Sequence, residues 1–446
     1  MDPVLEAKLD PHTLSDEPSY FFSFLGERFS TLTNIWRERL ERRFKKKFEP
    51  IWVLQAKQDH SFNIENYVIV NGTLCETQGE RYSNSLVCLR DYEDLNREFS
   101  ESEYIGGLVR QLIEKQGTVF ILGFTSSFLR DFGSRVKVLG PNPGLSHHFD
   151  NKIEQVRLFN KLDVPCVRAS IHQSIDSVLT ENNFPFFVSA AYATAGGESS
   201  YVYSRQDLLD FYFSLKTVNQ SMPLVVSELI EEIGFCPNVN AIVTGENSTH
   251  IIYITDQILR GKIYLGNVYP SRADDHAVDT IKRTTTKIGN YLSTLGYKGL
   301  FGLDFIVDSN NNVYTIDLNP RRQGGYACNV MMSRGIDIVG LELELALNGQ
   351  ISDDFDYEDF QMGGAVAYTK VKPHAKNARI GNSIFENSFE HPFVNRGSVF
   401  QCTFFPVGYT LRSGHVGYII VSGDTAEEVR TRIVQEEKRF LKNVFD

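Results

Sequence analysis

The chain is predicted to fold as a mixed α/β and α+β protein of several domains. Over the first 140 residues, short β-branched and aromatic runs alternate with helical stretches, as in a small unit built on a parallel sheet. Further on, a series of strand-like runs is broken by turn clusters, and the tail again mixes strands with a terminal helix. A length of 446 residues suggests about two to four domains, and with 42% of them hydrophobic several ordinary cores can form.

In chain order, residues 1–18 read as a mobile arm and 21–47 as a helix. Strand runs follow at 51–54 and 67–70. A helix at about 104–115 leads into a strand at 118–123, and 136–139 closes the unit. Gly140, Pro141, Pro143 and Gly144 form a breaker cluster and mark the first boundary. Residues 149–162 read as one helix with Asp150 available as its cap. A strand at 184–190 ends in the small-residue loop 193–200 and resumes at 201–203, so that a hairpin can cover a ligand. A short helix at 207–215 precedes a buried-type strand at 224–230, which runs into an acidic turn. Strands at 239–243, 250–254 and 262–268, a helix at 277–295, and a two-strand unit at 302–307 and 313–318 come next. The turn cluster 308–312 joins that last pair. A helix ends near Gly349, and strands near 363–371, 398–405 and 417–421 with a helix from Thr425 read as a compact cap.

Composition narrows the function. The net charge is −11 (45 basic, 56 acidic residues), which disfavours nucleic acid as a partner. The one dense basic run, 37–47, has interleaved acids and places Leu40, Phe44 and Phe48 at helical spacing, so it reads as a solvated amphipathic helix. Six scattered cysteines without a CxxC pair argue against a disulfide framework or a zinc site. The acidic start has no apolar signal core, and no run approaches the roughly 20 residues of a membrane span. A cytoplasmic protein without membrane contact is expected.

Asp304, Asp317 and Asn319 carry the first chemical signal. Asp317 and Asn319 are two apart on a strand and share a face, and Asp304 on the preceding strand can sit opposite. These are hard oxygen donors suited to magnesium, two ions of which can bridge nucleotide phosphates. Arg321 and Arg322 follow directly and can clamp phosphoryl or carboxylate oxygens, while Gly324 and Gly325 let backbone amides approach an anion. Gly196 and Gly197, in the loop after the strand at 184–190, can cover phosphates in the same way. Glu228, Leu229, Ile230 and Glu231 leave a strand toward an acidic stretch, where backbone groups can meet adenine and a carboxylate can meet ribose. Neither a Walker loop nor a dinucleotide fingerprint is present.

The order of these elements resembles the ATP-grasp superfamily over about residues 140–350. Lys152 opens a helix, the glycine loop and the acidic strand end follow, and G-x-D and D-x-N-P-R close the set. The resemblance implies an N-terminal pre-ATP-grasp domain (1–140), an ATP-grasp domain (141–352, lid about 166–226) and a small C-terminal α+β cap (353–446). It implies ATP and magnesium as cofactors, with Asp304, Asp317 and Asn319 as metal ligands. Arg321, Lys152 and Arg322 would be the catalytic set. Lys152, Ser189, Gly196, Gly197, Glu228, Leu229, Ile230, Glu231 and Lys262 would line the nucleotide site. Many family members carry lysine where this chain has Ser189, so Lys262 or Arg260 is a candidate replacement cation. The flanks resemble the pheganomycin-type peptide ligases, which implies joining a carboxylate to an amine through an acyl phosphate, with ADP and phosphate released. Small-molecule substrates are expected, amino acids or peptides among them, and a homodimer is a reasonable prior. Asn267, Tyr269, Ser271 and Arg272 are candidates for the acceptor site. A nucleotide sensor without catalysis and a carboxylase or carbamoyl-phosphate-type activator stay open as alternatives.

Overall fold

A computed structural model of the chain describes residues 4–8, 18–25, 30–54, 66–70, 89–180, 184–192, 198–214, 223–326, 333–334, 337–351, 361–362, 364–372, 378–382, 399–403, 410–411 and 415–445. The N-terminal layer is a six-stranded sheet in the order β1 (Val4–Lys8), β4 (Tyr67–Val70), β3 (Phe48–Leu54), β2 (Ser19–Ser23), β5 (Val119–Leu122), β6 (Val136–Leu139). β1 is antiparallel to β4, and the remaining pairs are parallel. Its strands β2 and β5 are buried along their whole length and carry the apolar runs 20–22 and Val119–Leu122, because both faces are covered. Phe21 and Phe120 pack with Leu32, Trp36 and Leu40 of helix Ser30–Phe44, whereas Phe22 and Ile121 pack with Leu95, Phe99 and Leu108 of helices Leu89–Glu101 and Glu103–Gln116.

Two expectations are corrected here. Residues 4–8 of the expected arm form an edge strand. The expected helix 21–47 is a strand followed by a helix, since Ser19–Ser23 lies between β3 and β5. A short aromatic run carries no periodicity that tells a buried strand from a buried helix.

A four-stranded antiparallel sheet comes next, in the order β7 (Ala169–His172), β10 (Leu224–Glu228), β8 (Phe186–Ala190), β9 (Ser199–Val202). Beside it stands a nine-stranded sheet. β16 (Val313–Asn319) pairs with β15 (Gly299–Asp308), whose other side takes β11 (Ile233–Phe235) and β12 (Pro237–Gly245). The sheet continues through β13 (Ser248–Arg260), β14 (Ile263–Tyr269), β19 (Ala365–Val371), β23 (Gly417–Gly423) and β21 (Val399–Thr403). Two short pairs, β17 (Ser333–Arg334) with β18 (Gln361–Met362) and β20 (Ala378–Arg379) with β22 (Thr410–Leu411), lie outside it. Helix Asp275–Thr294 packs Ala277, Ile281, Ile288 and Leu292 on Val239, Phe301 and Phe305. Helix Ala426–Phe445 packs Val429, Ile433 and Phe440 on Ala367, Ile419 and Val421.

The strands expected to form a separate cap thus extend the central sheet, through the pairing of β14 with β19. Gly266 permits that junction, because a Cβ there would lie 1.8 Å from the Tyr368 carbonyl oxygen. The expected helix 149–162 is two helices, Pro143–Asp150 and Lys152–Lys161, broken at Asn151. Asn151, not Asp150, caps the second, its Oδ1 accepting from the Ile153 amide at 2.9 Å. No helix among the described residues is long and apolar enough to cross a membrane.

Candidate functional site

β15 and β16 pair so that Asp304 faces Asp317 and Gly302 faces Asn319. Directly opposed residues share a face of the sheet, so the two carboxylates stand side by side, and Asn319 joins them two residues along. The Asn319 amide donates to Asp304 Oδ2 at 3.3 Å. On the other flank of β15, β12 sets Asn238 opposite Asp304, and Asn238 Nδ2 donates to Asp304 Oδ1. Asn240 supports it, donating to Asn238 Oδ1 at 3.1 Å. Lys152, at the first position of its helix, reaches over to form an ion pair with Asp317 Oδ1.

Burial pushes the Asp304 carboxyl up to about 6, the neighbouring charge of Asp317 pushes it the same way, and Asn238 and Lys152 pull it down. Among the described residues no three His, Cys, Asp or Glu side chains gather as a metal cluster. The donor set is instead two carboxylates and an amide. It fits magnesium, which keeps its waters and takes further oxygens from phosphates, and the mutual repulsion of Asp304 and Asp317 is what such a cation relieves.

Arg321 is buried at the edge of this set. Its Nη2 donates to Asn319 Oδ1 at 2.7 Å, its Nε lies 3.3 Å from Asp150 Oδ1, and its guanidinium sits 5.4 Å from the centre of the Phe124 ring. Arg322 points the other way. It is 2% exposed, pairs with Glu342 Oε1 at 2.7 Å, donates to the Gly123 carbonyl, and stacks on Trp36 and Tyr326 at 5.5 and 5.2 Å. The expected catalytic role of Arg322 is therefore corrected: it is a core pin between the N-terminal layer and helix Ile338–Asn348.

A cavity of about 270 Å³ opens between the four-stranded sheet and the central sheet, with Lys152, Ser189, Glu228, Leu229, Ile230, Lys262, Asp304 and Asp317 in its wall. Lys262 reaches from the start of the β14 hairpin, and its Nζ donates to the Ser199 carbonyl on β9. Glu228 is engaged by Arg168, whose backbone N–H and Nε each donate to its carboxylate at 2.8 Å. Glu231 is exposed and does not line the cavity. Arg260 turns to Glu437 at 3.8 Å, also outside the wall. Gly196 and Gly197 lie outside the described residues.

The candidate acceptor segment faces elsewhere. Asn267 donates to Thr255 Oγ1 at 2.8 Å, while Ser271 and Arg272 bind the fully buried Asp256, at 2.5 and 3.3 Å, together with Arg430 at 2.5 Å. Neither they nor Tyr269 line the cavity.

Sequence reasoning missed Asn238 and Asn240, which stand beside Asp304 on β12, and the tie from Asp150 to Arg321. Two asparagines alternating within Pro237–Gly245, an otherwise apolar strand, were the available signal for the first. For Asp150 there was none, because a helix-end aspartate reads as a cap. Burial pushes the Asp150 carboxyl up to about 7, against the pull of Arg321.

Residues 150–325 match the ATP-grasp domain family, so the chain carries an ATP-grasp domain, with Asp304, Asp317 and Arg321 all inside the matched stretch. An L-propargylglycine–L-glutamate ligase of Streptantibioticus cattleyicolor is 30% identical over 102 residues, covering 22% of this chain and 20% of that protein. The C-terminal section of the carbamoyl phosphate synthase large chain of Methanocaldococcus jannaschii is 23% identical over 233 residues, 50% of this chain and 37% of that protein. The chain thus spans well under two thirds of the length of these relatives. Among solved structures, the biotin carboxylase domain of the Hydrogenobacter thermophilus 2-oxoglutarate carboxylase, in complex with MgADP, ADP and bicarbonate, aligns with TM-score 0.67 at 13% identity, covering 96% of this chain and 90% of that one. Biotin carboxylase of Campylobacter jejuni aligns with TM-score 0.66 at 16% identity, covering 96% and 95%. At these identities the likeness defines the fold, which is ATP-grasp.

Proposed function

We propose that the chain is an ATP-dependent ligase that activates a carboxylate as an acyl phosphate and passes the acyl group to an amine. The observation that carries this is the Asp304–Asp317 pair, in register and flanked by Asn319 and Arg321, at the end of a cavity bounded by Leu229 and Ile230. The name of the Streptantibioticus relative, a ligase joining two amino acids, supports the same class of chemistry.

In this reading the strand end at Leu229 and Ile230 receives adenine, and the triphosphate runs toward Asp304 and Asp317. Asp304, Asp317 and Asn319 would hold magnesium, which would supply positive charge to offset the negative charge of the phosphates. Lys152 is then released from Asp317 to a phosphate oxygen, and Lys262 supplies a second ammonium from the opposite wall. A substrate carboxylate oxygen attacks the γ-phosphorus and the bond to ADP breaks. The amine nitrogen next attacks the acyl carbon, phosphate leaves, and the amine gives up a proton. Arg321, already oriented by Asn319 and Asp150, stabilises charge on the transferring group.

A second reading, bicarbonate as the activated carboxylate, is favoured by the similarity to the carbamoyl phosphate synthase section over half of the chain. The test is one assay. Purified protein with ATP and magnesium is given a panel of amino acids, alone and in pairs, and separately bicarbonate with amines. Release of ADP and phosphate with an amino-acid pair supports the first reading, and bicarbonate-dependent release without one supports the second. AMP and pyrophosphate as products would overturn both.

A further inference from the structure

Asp150 leads from Arg321 into a second cluster, where helix Leu89–Glu101, helix Pro143–Asp150 and the segment after β8 meet. The His147 ring lies parallel to the Tyr192 ring, 4° between planes with centres 5.0 Å apart, and packs on Phe128 at 4.2 Å. His147 Nε2 and the Tyr192 hydroxyl are 3.3 Å apart. Glu93 is 7% exposed and Asp150 5%. Phe128 sits at a φ of 65°, a backbone region unfavourable for a bulky residue, and so holds its ring against His147 at a cost.

Three polar atoms here are buried without a hydrogen-bond partner among the described residues: Glu93 Oε1, Asp150 Oδ2 and His147 Nδ1. Glu93 Oε1 and His147 Nδ1 are 3.8 Å apart, too far for a hydrogen bond. A buried carboxylate oxygen with no donor is among the more costly features a fold can keep, and the chemistry proposed above uses neither of these two. Both need donors, and the Glu93 charge is near enough to help raise the Asp150 carboxyl. A protonated amine brings three N–H donors and a positive charge, and aromatic faces beside it add a cation–π contribution. An anion would be repelled. Asp150 also touches Arg321 through its other oxygen, so a cation-binding and an anion-binding group sit next to each other, as the ammonium and carboxylate of an α-amino acid do.

We propose that Glu93 and the free oxygen of Asp150, beside the stacked His147 and Tyr192 rings, recognise the ammonium group of an amino-acid substrate whose carboxylate lies toward Arg321. This rests on the ligase reading and narrows its substrate to a free amino acid. It also gives the N-terminal layer a part in substrate choice, since Glu93 comes from a helix of that layer.

Glu93→Gln keeps the shape and removes the charge. Expected is a rise in KM for the amino acid of about ten-fold or more, a smaller effect on kcat, and an unchanged KM for ATP. Discrimination against the analogue lacking the amino group should shrink in the variant, as should calorimetric binding of the amino acid to protein saturated with ADP and magnesium. Asp150→Asn provides a second variant, and a thermal melt of each reports folding. If folded Glu93→Gln keeps the wild-type KM and discrimination, the proposal is overturned, and water or the His147 pair satisfies those atoms. If the wild type releases ADP only with bicarbonate or a carboxylic acid lacking an amine, the ammonium site fails while carboxylate activation stands. If nucleotide binds and no substrate elicits ADP, the ligase reading fails. Glu93-dependent calorimetric binding of an amino acid would in that case still support the site, and its absence would overturn it.

Discussion

The ammonium of Lys262 donates to the carbonyl of Ser199, the residue that faces Ser189 across the β8–β9 pair. The cation that the family resemblance places at position 189 is thus present near that position, supplied from the opposite wall of the cavity. Burial lowers the Lys262 pKa from its usual value, so the group is partly stripped of water before any ligand arrives.

This predicts that Lys262→Met weakens nucleotide binding by about ten-fold or more, the value of one charge-assisted contact to phosphate. Lys262→Arg should restore part of it. The sharper check is the double variant Ser189→Lys with Lys262→Met, which should recover ATP affinity by calorimetry because the charge returns from the strand side. Additive loss instead would mean that Lys262 does not stand in for the missing lysine.

Asp317→Ala is expected to lower turnover by about 10²-fold or more, since it removes a proposed metal donor and the ion-pair partner of Lys152. Asp304→Asn should act similarly and shift the magnesium dependence to higher concentration. Both are read from ADP release against magnesium titration, with nucleotide binding measured alongside.

The adjacent arginines should separate function from stability. Arg321→Ala is expected to lose activity. It also takes the guanidinium from the buried Asp150, but that carboxyl is already pushed up to about 7 by burial and can be neutralised by a proton, so the loss in unfolding free energy should be smaller than for Arg322. Arg322→Met leaves Glu342 as a buried charge without its guanidinium and should cost about 3–5 kcal/mol in urea unfolding. A stable, inactive Arg322→Met variant would contradict the assignment of Arg322 to the core.

The Asp150 carboxyl should also mark the pH dependence of folding. Its folded pKa is raised to about 7 from an ordinary 3.8, so between these values the native state binds more protons than the unfolded chain. Its contribution to stability is complete below pH 3.8 and is lost as pH rises through 7. Urea unfolding across pH 4–7 should therefore show a falling component in the wild type that Asp150→Asn removes.

The hairpin that carries Asp304 and Asp317 was legible in the sequence because alternation with a turn cluster fixes both strand and facing. Lys152 entered only through the family resemblance, as a lysine that opens a helix ahead of the glycine loop. What the sequence withheld is side-chain direction where no periodicity applies. Arg321 and Arg322 are equivalent as letters, and only the packing of Trp36 and Tyr326 against one of them decides which turns into the core and which stays beside Asn319. The aromatic strand Ser19–Ser23 was hidden for a related reason, since a run buried on both faces has no polar side to give its period. Glu93 and Asp150 lie far apart in the chain and reach the same place only through tertiary structure.

The anchoring of Arg322 bears on how this catalytic segment can be transplanted. The stretch matching the ATP-grasp family ends at residue 325, yet the partners of Arg322 are Trp36 and Gly123 before it and Tyr326 and Glu342 after it. A fragment cut at the matched borders would hold an ionised guanidinium stripped of all four, directly beside the arginine proposed to do the chemistry. Any exchange of this segment between relatives therefore has to carry those distant positions as a set, and sequence borders are a poor guide to where the working unit stops.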